Sequence, residues 1–404
     1  MCKVLTSGYW LAVLAVLLLV GELPKVEAGN QVVAWGAGVI TNPADNNDYG
    51  QSAVPASLTN AVLVAGGWRH SVALRSNGSL LGWGDNTLGQ TAFPAASNYT
   101  AIACGCLHSL ALLTNGVVIA TGDDSYGQTQ VPPGLSNVVA VACGFYHSVA
   151  LLANGTVTAW GTSTNPVDYG KDNVSYGQSL VPPGLSNVVA IAAGGFDSLA
   201  LRANGTVVGW GNDAYGQTTI PPGLTNVMAI SAGAQDSLAL LANGTLVDWG
   251  TSSYGQTNVP PGLTNVVAIA SGGWHHLALK SNGTVVAWGA GVGANTNVDY
   301  EQILVPAGLT NVSAITAGML NSLVLVGAGQ PWAKVPLTIT SHPTNRFTVA
   351  LPTWNGHVYQ LSWTGSLTNP AWNPFPLQTG SGGMLPFTDS SPAGPARYYR
   401  VNQW

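Results

Sequence analysis

The chain repeats itself. TVVGWGNDAYGQTTIPPGL at 206–224 returns as TLVDWGTSSYGQTNVPPGL at 245–263, and VVAVACGFYHSVALL at 138–152 returns as VVAIAAGGFDSLALR at 188–202. Trp210, Trp249 and Trp288 are spaced by 39 residues. A period of this length marks one supersecondary unit whose copies bury one another's apolar faces. The Trp-Gly mark falls at Trp35, Trp83, Trp160, Trp210, Trp249 and Trp288, with Thr121-Gly122 as a degenerate seventh. The Gly-Gln mark ends at Gln51, Gln90, Gln128, Gln178, Gln217 and Gln256, and Glu301-Gln302 completes it. First halves end near Leu74, Leu112, Leu151, Leu201, Leu240, Leu279 and Leu325. The array opens on a second half, Val32 to Gln51, and closes on a first half, Val312 to Val326. The two ends are complementary parts of one unit, so the array is expected to close into a ring.

Each unit reads as β-strand. Short apolar runs are bounded by Gly and turn residues, and Asn-Gly stands between the second and third strands at 77–78, 115–116, 154–155, 204–205, 243–244 and 282–283. That dipeptide predicts type I′ hairpin turns. A fourth, outermost strand such as 217–220 is expected to stop at Pro221-Pro222. Four strands in seven units make a seven-bladed β-propeller with a split closing blade. Ala, Gly and Ser in the first strand suit the narrow inner end. Trp, Tyr and Gln of the repeat are read as structural, with the Gln bonding backbone between neighbouring units.

The string A-x-G-x-x-H-S-L-A-L followed by V-x-A-W-G-x-x-x-x-G-Q resembles the repeat of the regulator-of-chromosome-condensation propellers. GQTQVP and GQTNVP are similar to the secreted type II β-lactamase inhibitory proteins of the same repeat superfamily. The resemblance covers roughly residues 30–328 and implies the fold more than a function. Guanine-nucleotide exchange on a small GTPase, as in some members, is one function it would imply.

Residues 1–28 carry Lys3, an apolar run from Trp10 to Val20 and a small-x-small site at Val26-Glu27-Ala28, the pattern of a signal peptide. Export is expected, to a secreted, periplasmic or cell-surface location, without stable membrane insertion. Within 29–330, five cations face thirteen anions, with no cluster of Lys and Arg. Binding to nucleic acid is therefore not expected. After Gly329 the repeat stops. Residues 331–404 are read as a linker and a small C-terminal β-sandwich-like domain, with strands at Arg346–Leu351, Val358–Trp363, Met384–Thr388 and Arg397–Val401.

Candidate chemistry is sparse. Cys104 and Cys143 occupy one repeat position in neighbouring units, either as small buried residues or as a disulfide between blades. His70, His108, His147 and His275 share another position with Asp197, Asp236 and Asn321. Their side chains are expected to close the turn before the second strand, and a ring of metal ligands is the alternative. His276 stands where the other copies have Ser and reads as a surface variant. The Asp-rich loops 37–49, 162–176 and 290–300 are read as solvated turns, with calcium ligation as the alternative. No catalytic constellation, metal site or cofactor is predicted. Variation concentrates in the two residues before each His-equivalent position, where Trp68, Arg69, Phe145, Tyr146, Phe196, Gln235 and Trp274 fall. Aromatics and Arg anchor protein interfaces. The expected function is non-enzymatic binding of a protein or surface macromolecule through this face, by a monomer. The alternatives are a plug for the central channel, the exchange activity above, or an extracellular hydrolase or lyase.

Overall fold

A computed structural model of the protein describes residues 30–39, 47–162, 174–291, 299–327, 338–342, 346–353, 357–364, 373–381, 383–389 and 398–403. Residues 1–29, where the signal-peptide pattern falls, most of each long Asp-rich loop and residues 328–337 lie outside them.

Six blades follow one another along the chain. Blade I is β2 (Ala61–Gly66), β3 (His70–Arg75) and β4 (Leu80–Gly84). Blade II is β5 (Tyr99–Cys104), β6 (His108–Leu113) and β7 (Val118–Gly122). Blade III is β8 (Val138–Cys143), β9 (His147–Leu152) and β10 (Val157–Gly161). Blade IV is β11 (Val188–Ala193), β12 (Asp197–Arg202) and β13 (Val207–Gly211). Blade V is β14 (Val227–Ala232), β15 (Asp236–Leu241) and β16 (Leu246–Gly250). Blade VI is β17 (Val266–Ser271), β18 (His275–Lys280) and β19 (Val285–Gly289). Blade VII joins the two ends of the array, with β20 (Val312–Ala317), β21 (Asn321–Val326) and β1 (Gln31–Gly36) in the order β1-β21-β20. Gln31 faces Val326 and Gly36 faces Asn321 along this antiparallel seam. The split closing blade is therefore as the sequence implied.

Among the described residues the blades carry no fourth strand. After Gly216 the chain turns on itself, with Thr219 N donating to Gly216 O. The Thr218 and Thr219 amides donate to Asp213 Oδ1 at 2.8 and 3.0 Å. Those donors are spent locally, and the prolines that follow have none, so no ladder extends outward. The segment still packs flat on β13, where a Cβ at Gly209 would lie 2.8 Å from Thr218 O.

The hairpin turns also differ from the expected type. Gly78 has φ +76° and Gly155 +78°, whereas Asn77 and Asn154 keep negative φ. Gly155 N donates to Leu152 O and Leu152 N to Thr156 O. This is a type I turn followed by a left-handed Gly. Asn154 Oδ1 accepts from Thr156 N at 3.0 Å and from Thr156 Oγ1 at 2.6 Å, which explains why Asn-Gly-Thr recurs.

The middle strand of each blade is its core. β9 and β12 expose only their last residue. Leu151, Leu199, Leu201 and Ala200 are fully buried between blades III, IV and V. Every first strand carries a β-bulge at its second residue, seen between Val188 and Ala190 and in all seven copies.

Beyond the ring, β22 (Thr338–His342), β23 (Arg346–Pro352) and β27 (Met384–Asp389) form one sheet. β24 (Val358–Thr364) pairs with β25 (Asn373–Pro374), β26 (Gln378–Thr379) and β28 (Tyr398–Gln403) in a second. Leu377 N donates to Ala153 O, and Thr379 Oγ1 donates to Val139 O, beside the hairpin-turn end of blade III. Among the described residues no helix is long and apolar enough to cross a membrane.

Candidate binding face and blade junctions

The turn between first and second strands and the loop after the third strand meet at one end of the ring. Asp85 N donates to Arg69 O, and the equivalent bond recurs at Asp123, Thr162, Asn212, Thr251 and Ala290. The Asn-Gly turns lie at the other end of the same strands.

The paired variable residues divide into two rows. The first of each pair, including Trp68, Cys106, Phe145 and Met319, lines the axial cavity together with Gly66, Cys104, Cys143, Ala193, Ala232, Ser271 and Ala317 of the first strands. The second of each pair, including Arg69, Tyr146, Phe196, Gln235 and Trp274, stands outside that lining, half-buried on the face. The cavity has a volume of about 70 Å³. Inner packing is tight because the strand-end glycines approach one another. A Cβ on Gly144 would lie 2.5 Å from Gly194 O and 2.1 Å from His147 Cε1.

Two aromatic clusters occupy the face. In the first, Phe196 meets Phe145 at 5.5 Å, Tyr176 at 5.5 Å and Tyr146 at 6.0 Å, and Tyr146 meets Tyr126 at 5.0 Å. The second spans the closing blade, where Trp68, Trp274, Tyr254, Tyr300 and Met319 pack on Ala37, Ala290 and Leu320. Arg69 stacks over the Trp68 ring at 3.8 Å and the Tyr49 ring at 4.8 Å. Trp68 Nε1 donates to Asn47 Oδ1 at 3.1 Å. Trp68, Arg69, Phe145, Tyr146, Phe196, Gln235 and Trp274 thus share one end, as the repeat register implied. Sequence reasoning missed the tyrosines that precede Gly-Gln. They are invariant enough to look structural, yet Tyr126 and Tyr215 are 38% and 50% exposed at this end.

The invariant residues weld the blades. Each Trp indole donates to the backbone carbonyl of a Gln from the neighbouring unit, as in Trp160 to Gln128 O at 3.0 Å and Trp210 to Gln178 O at 2.8 Å. Trp35 closes the ring on Gln302 O at 2.8 Å. Thr121, the degenerate copy, reaches Gln90 O at 3.4 Å with its hydroxyl. The Gln side chain mostly stays within its own loop, where Oε1 accepts from the amide two residues earlier (Tyr126 N, 2.9 Å), and Gln51 Nε2 also reaches the next blade, at Trp68 O (3.4 Å). The bond between units therefore runs through the Gln carbonyl.

The recurrent histidines also reach the next blade, and do not close their own turns. His108 Nε2 lies 3.0 Å from Ser148 Oγ, His147 Nε2 2.9 Å from Ser198 Oγ, and His275 Nε2 3.0 Å from Ser322 Oγ. Those serines donate to Gln128 O, Gln178 O and Gln302 O, so the imidazole nitrogen is the donor. Burial lowers the pKa of His70 and of His147 to about 3 and that of His108 to about 4. These rings are neutral structural donors, spaced around the junctions rather than converging on a metal. At Asp197 the same position holds a buried carboxyl with no hydrogen-bond partner, pushed well above its usual range by burial and by Asp236.

Of the two alternatives for Cys104 and Cys143 the disulfide is not formed: both thiols are free, directed at the carbonyls of Ala65 and Ala103 in the preceding blade. Burial raises Cys104 to about 12 and Cys143 well above the usual thiol range, so neither is a thiolate. His276 is not on the surface but fully buried at the junction of blades V and VI. In the Asp-rich loops, Asp48 Oδ1 and Asp299 Oδ1 accept from Gly38 N and Gly291 N at 2.6 and 2.9 Å, while Asp45, Asp168 and Asp172 lie outside the described residues.

Comparison with known proteins bears on the repeat. The family profile described as "Regulator of chromosome condensation (RCC1) repeat" matches residues 61–90, 99–128, 138–165, 188–217 and 266–292. The unit at 227–256 and the split unit lie outside these matches but have the same three-stranded form. No curated protein matches the chain in sequence. Among solved structures, Prp20p from Saccharomyces cerevisiae is similar with a TM-score of 0.59 at 19% identity, over 74% of this chain and 92% of that one. Yeast RCC1 (Prp20) bound to Kap60 gives 0.58 at 20%, over 75% and 90%. Human WBSCR16 gives 0.55 at 20%, over 74% and 99%. The chain is thus a seven-bladed β-propeller closed by a split unit, in which five units match the regulator of chromosome condensation (RCC1) repeat.

Proposed function

We propose that the protein is an exported, non-enzymatic propeller that captures a protein partner on the end of the ring bearing Arg69, Tyr146, Phe196 and Trp274. The observation that carries this reading is a contrast of sizes. The axial cavity, at about 70 Å³, holds a few waters, whereas small-molecule pockets run from roughly 300 Å³ upward. Around that closed mouth the aromatic rings form a broad, half-exposed surface of the composition that anchors protein interfaces. The similar yeast propeller is described by its binding to Gsp1p and histones and by a complex with Kap60, which supports a protein as the class of partner. The signal-peptide pattern of residues 1–28 and the acid excess of the propeller favour an extracytoplasmic protein over chromatin as the setting.

The test is capture of partners from the extracellular or periplasmic fraction by the full chain, against Arg69→Ala/Tyr146→Ala/Trp274→Ala in one protein. The triple variant should keep the wild-type circular dichroism and melt within a few degrees of it, while losing at least about 100-fold in affinity, as expected when several anchors are removed together. Retained capture by a folded triple variant would overturn the reading. Fractionation with amino-terminal sequencing tests export separately, with a mature chain starting near Gly29 as the expected result.

A further inference from the structure

The repeat supplies an internal comparison for every position, and one junction departs from it repeatedly. His276 stands where the other blades have Ser71, Ser109, Ser148, Ser198, Ser237 and Ser322. Asp248 stands on the third strand where the others have Ala34, Gly82, Ala120, Ala159, Gly209 and Ala287. Asp236 fills the position that is His in four blades. These residues come from three strands, β15, β16 and β18, of two blades. They nevertheless meet in one spot, with His276 Nε2 2.6 Å from Asp236 Oδ2 and 3.4 Å from Asp248 Oδ2. The three side chains are at most 1% exposed.

The chemistry of the spot calls for a cation. Beyond their contacts with one another, both oxygens of Asp236 and of Asp248, and Nε2 of His276, are buried without a hydrogen-bond partner. Two ionised carboxylates in one dry site need a positive charge between them. His276 is held from behind, with Nδ1 2.9 Å from Ser271 Oγ, which turns Nε2 toward the carboxylates. An outer hydrogen bond of this kind is what orients a metal-ligating imidazole. Four other junctions are joined by a neutral His–Ser pair, at His70, His108, His147 and His275, and lack this arrangement.

We propose that the junction of blades V and VI is a divalent transition-metal site, with Asp236, Asp248 and His276 as ligands and Ser271 as the residue that positions His276. Two carboxylates balance the 2+ charge and admit Mn²⁺, and the imidazole favours Zn²⁺ over Ca²⁺ or Mg²⁺. Ligand atoms about 2.0–2.1 Å from a tetrahedral zinc lie roughly 3.3 Å apart. The His276–Asp248 separation already fits, and the His276–Asp236 pair has only to open by less than about 1 Å. A fourth position is left for water. The metal would cross-link two blades directly beneath the face, since Gln235 adjoins Asp236 and Trp274 lies two residues before His276.

The experiment uses the full chain stripped with chelator and titrated with ZnCl₂, with free Zn²⁺ buffered by a chromophoric chelator. One equivalent should bind and raise the melting temperature by several degrees. Co²⁺ should quench part of the tryptophan emission, because the Trp288 ring lies 5.2 Å from the His276 ring. His276→Ser and Asp248→Ala restore what the other blades carry, so both should fold. Each should lose at least about 100-fold in Zn²⁺ affinity together with the Co²⁺ quenching. Ser271→Ala should weaken binding about tenfold. Absence of saturable Zn²⁺ and Mn²⁺ binding would overturn the proposal and leave an ion pair with a protonated His276. Equal Zn²⁺ affinity in wild type and folded His276→Ser would overturn it as well, by placing the metal elsewhere.

Discussion

A histidine at a blade junction performs one task, donating a hydrogen bond from Nε2 to a serine of the next blade, and that task fixes how the fold responds to acid. His70, His108 and His147 titrate in the folded chain near 3, 4 and 3, because burial penalises the imidazolium. The unfolded chain takes up these protons near 6.5. The folded values are depressed, so the stabilisation is complete above about pH 6.5 and is lost as pH falls from there toward 4. Denaturant melts across that range should show stability falling with a slope of up to about three protons from these residues. His147→Asn, which borrows the residue of the closing blade, should fold and reduce that slope by about one proton. The same position explains what the sequence made legible and what it hid. A recurrent polar residue was visible as a requirement, but its partner lies 39 to 51 residues on, in the next copy. A repeat read one unit at a time suggests a local bond, because register between copies is not written within a copy.

At the scale of the strand, alternation and punctuation were enough to place the three inner strands of every blade and four strands beyond Gly329, but not β22, β25 or β26. Turn chemistry was less legible. Asn-Gly satisfies a type I′ turn and a type I turn with a left-handed Gly equally well, and the extra bond from Thr156 to Asn154 Oδ1 decides for the second. The missing fourth strand has a similar cause, since Asp213 captures amides that a ladder would need. The weld made by each indole can be measured on a single strand. Trp160→Phe keeps most of the apolar area on β10 but deletes the donor to Gln128 O, leaving a buried carbonyl that Ser148 alone serves. A loss of about 1–1.5 kcal/mol in urea denaturation is expected, with unchanged m-value. Thr121 is a natural instance of the weaker weld.

For the molecule as a whole, the aromatic end of the ring was legible as a location and not as a surface. Diversity within a monotonous repeat marked Trp68, Phe145, Tyr146 and Trp274. It did not reveal that the first of each pair turns inward to the axial cavity while the second stays on the rim. It also missed the tyrosines before Gly-Gln, because constancy looked like packing. The cluster at Asp236, Asp248 and His276 escaped for a further reason: no spacing along the chain links positions that only the blade-to-blade contact brings together. Closure is open to direct trial. A chain lacking residues 1–36 leaves β21 as an unpaired edge and deprives Gln302 O of Trp35. Such a chain should lose cooperative unfolding and self-associate on size exclusion, with β21 amides exchanging quickly with solvent.

That seam also sets an order of events for the nascent chain. Trp35 is made among the first residues of the ring, and its acceptor Gln302 follows 267 residues later. Blades I to VI can each pair as soon as their own hairpins emerge, but β1 must remain open-edged through the synthesis of nearly the whole array. Contacts of such sequence separation form slowly. The last step in assembling this propeller is therefore the capture of its first strand.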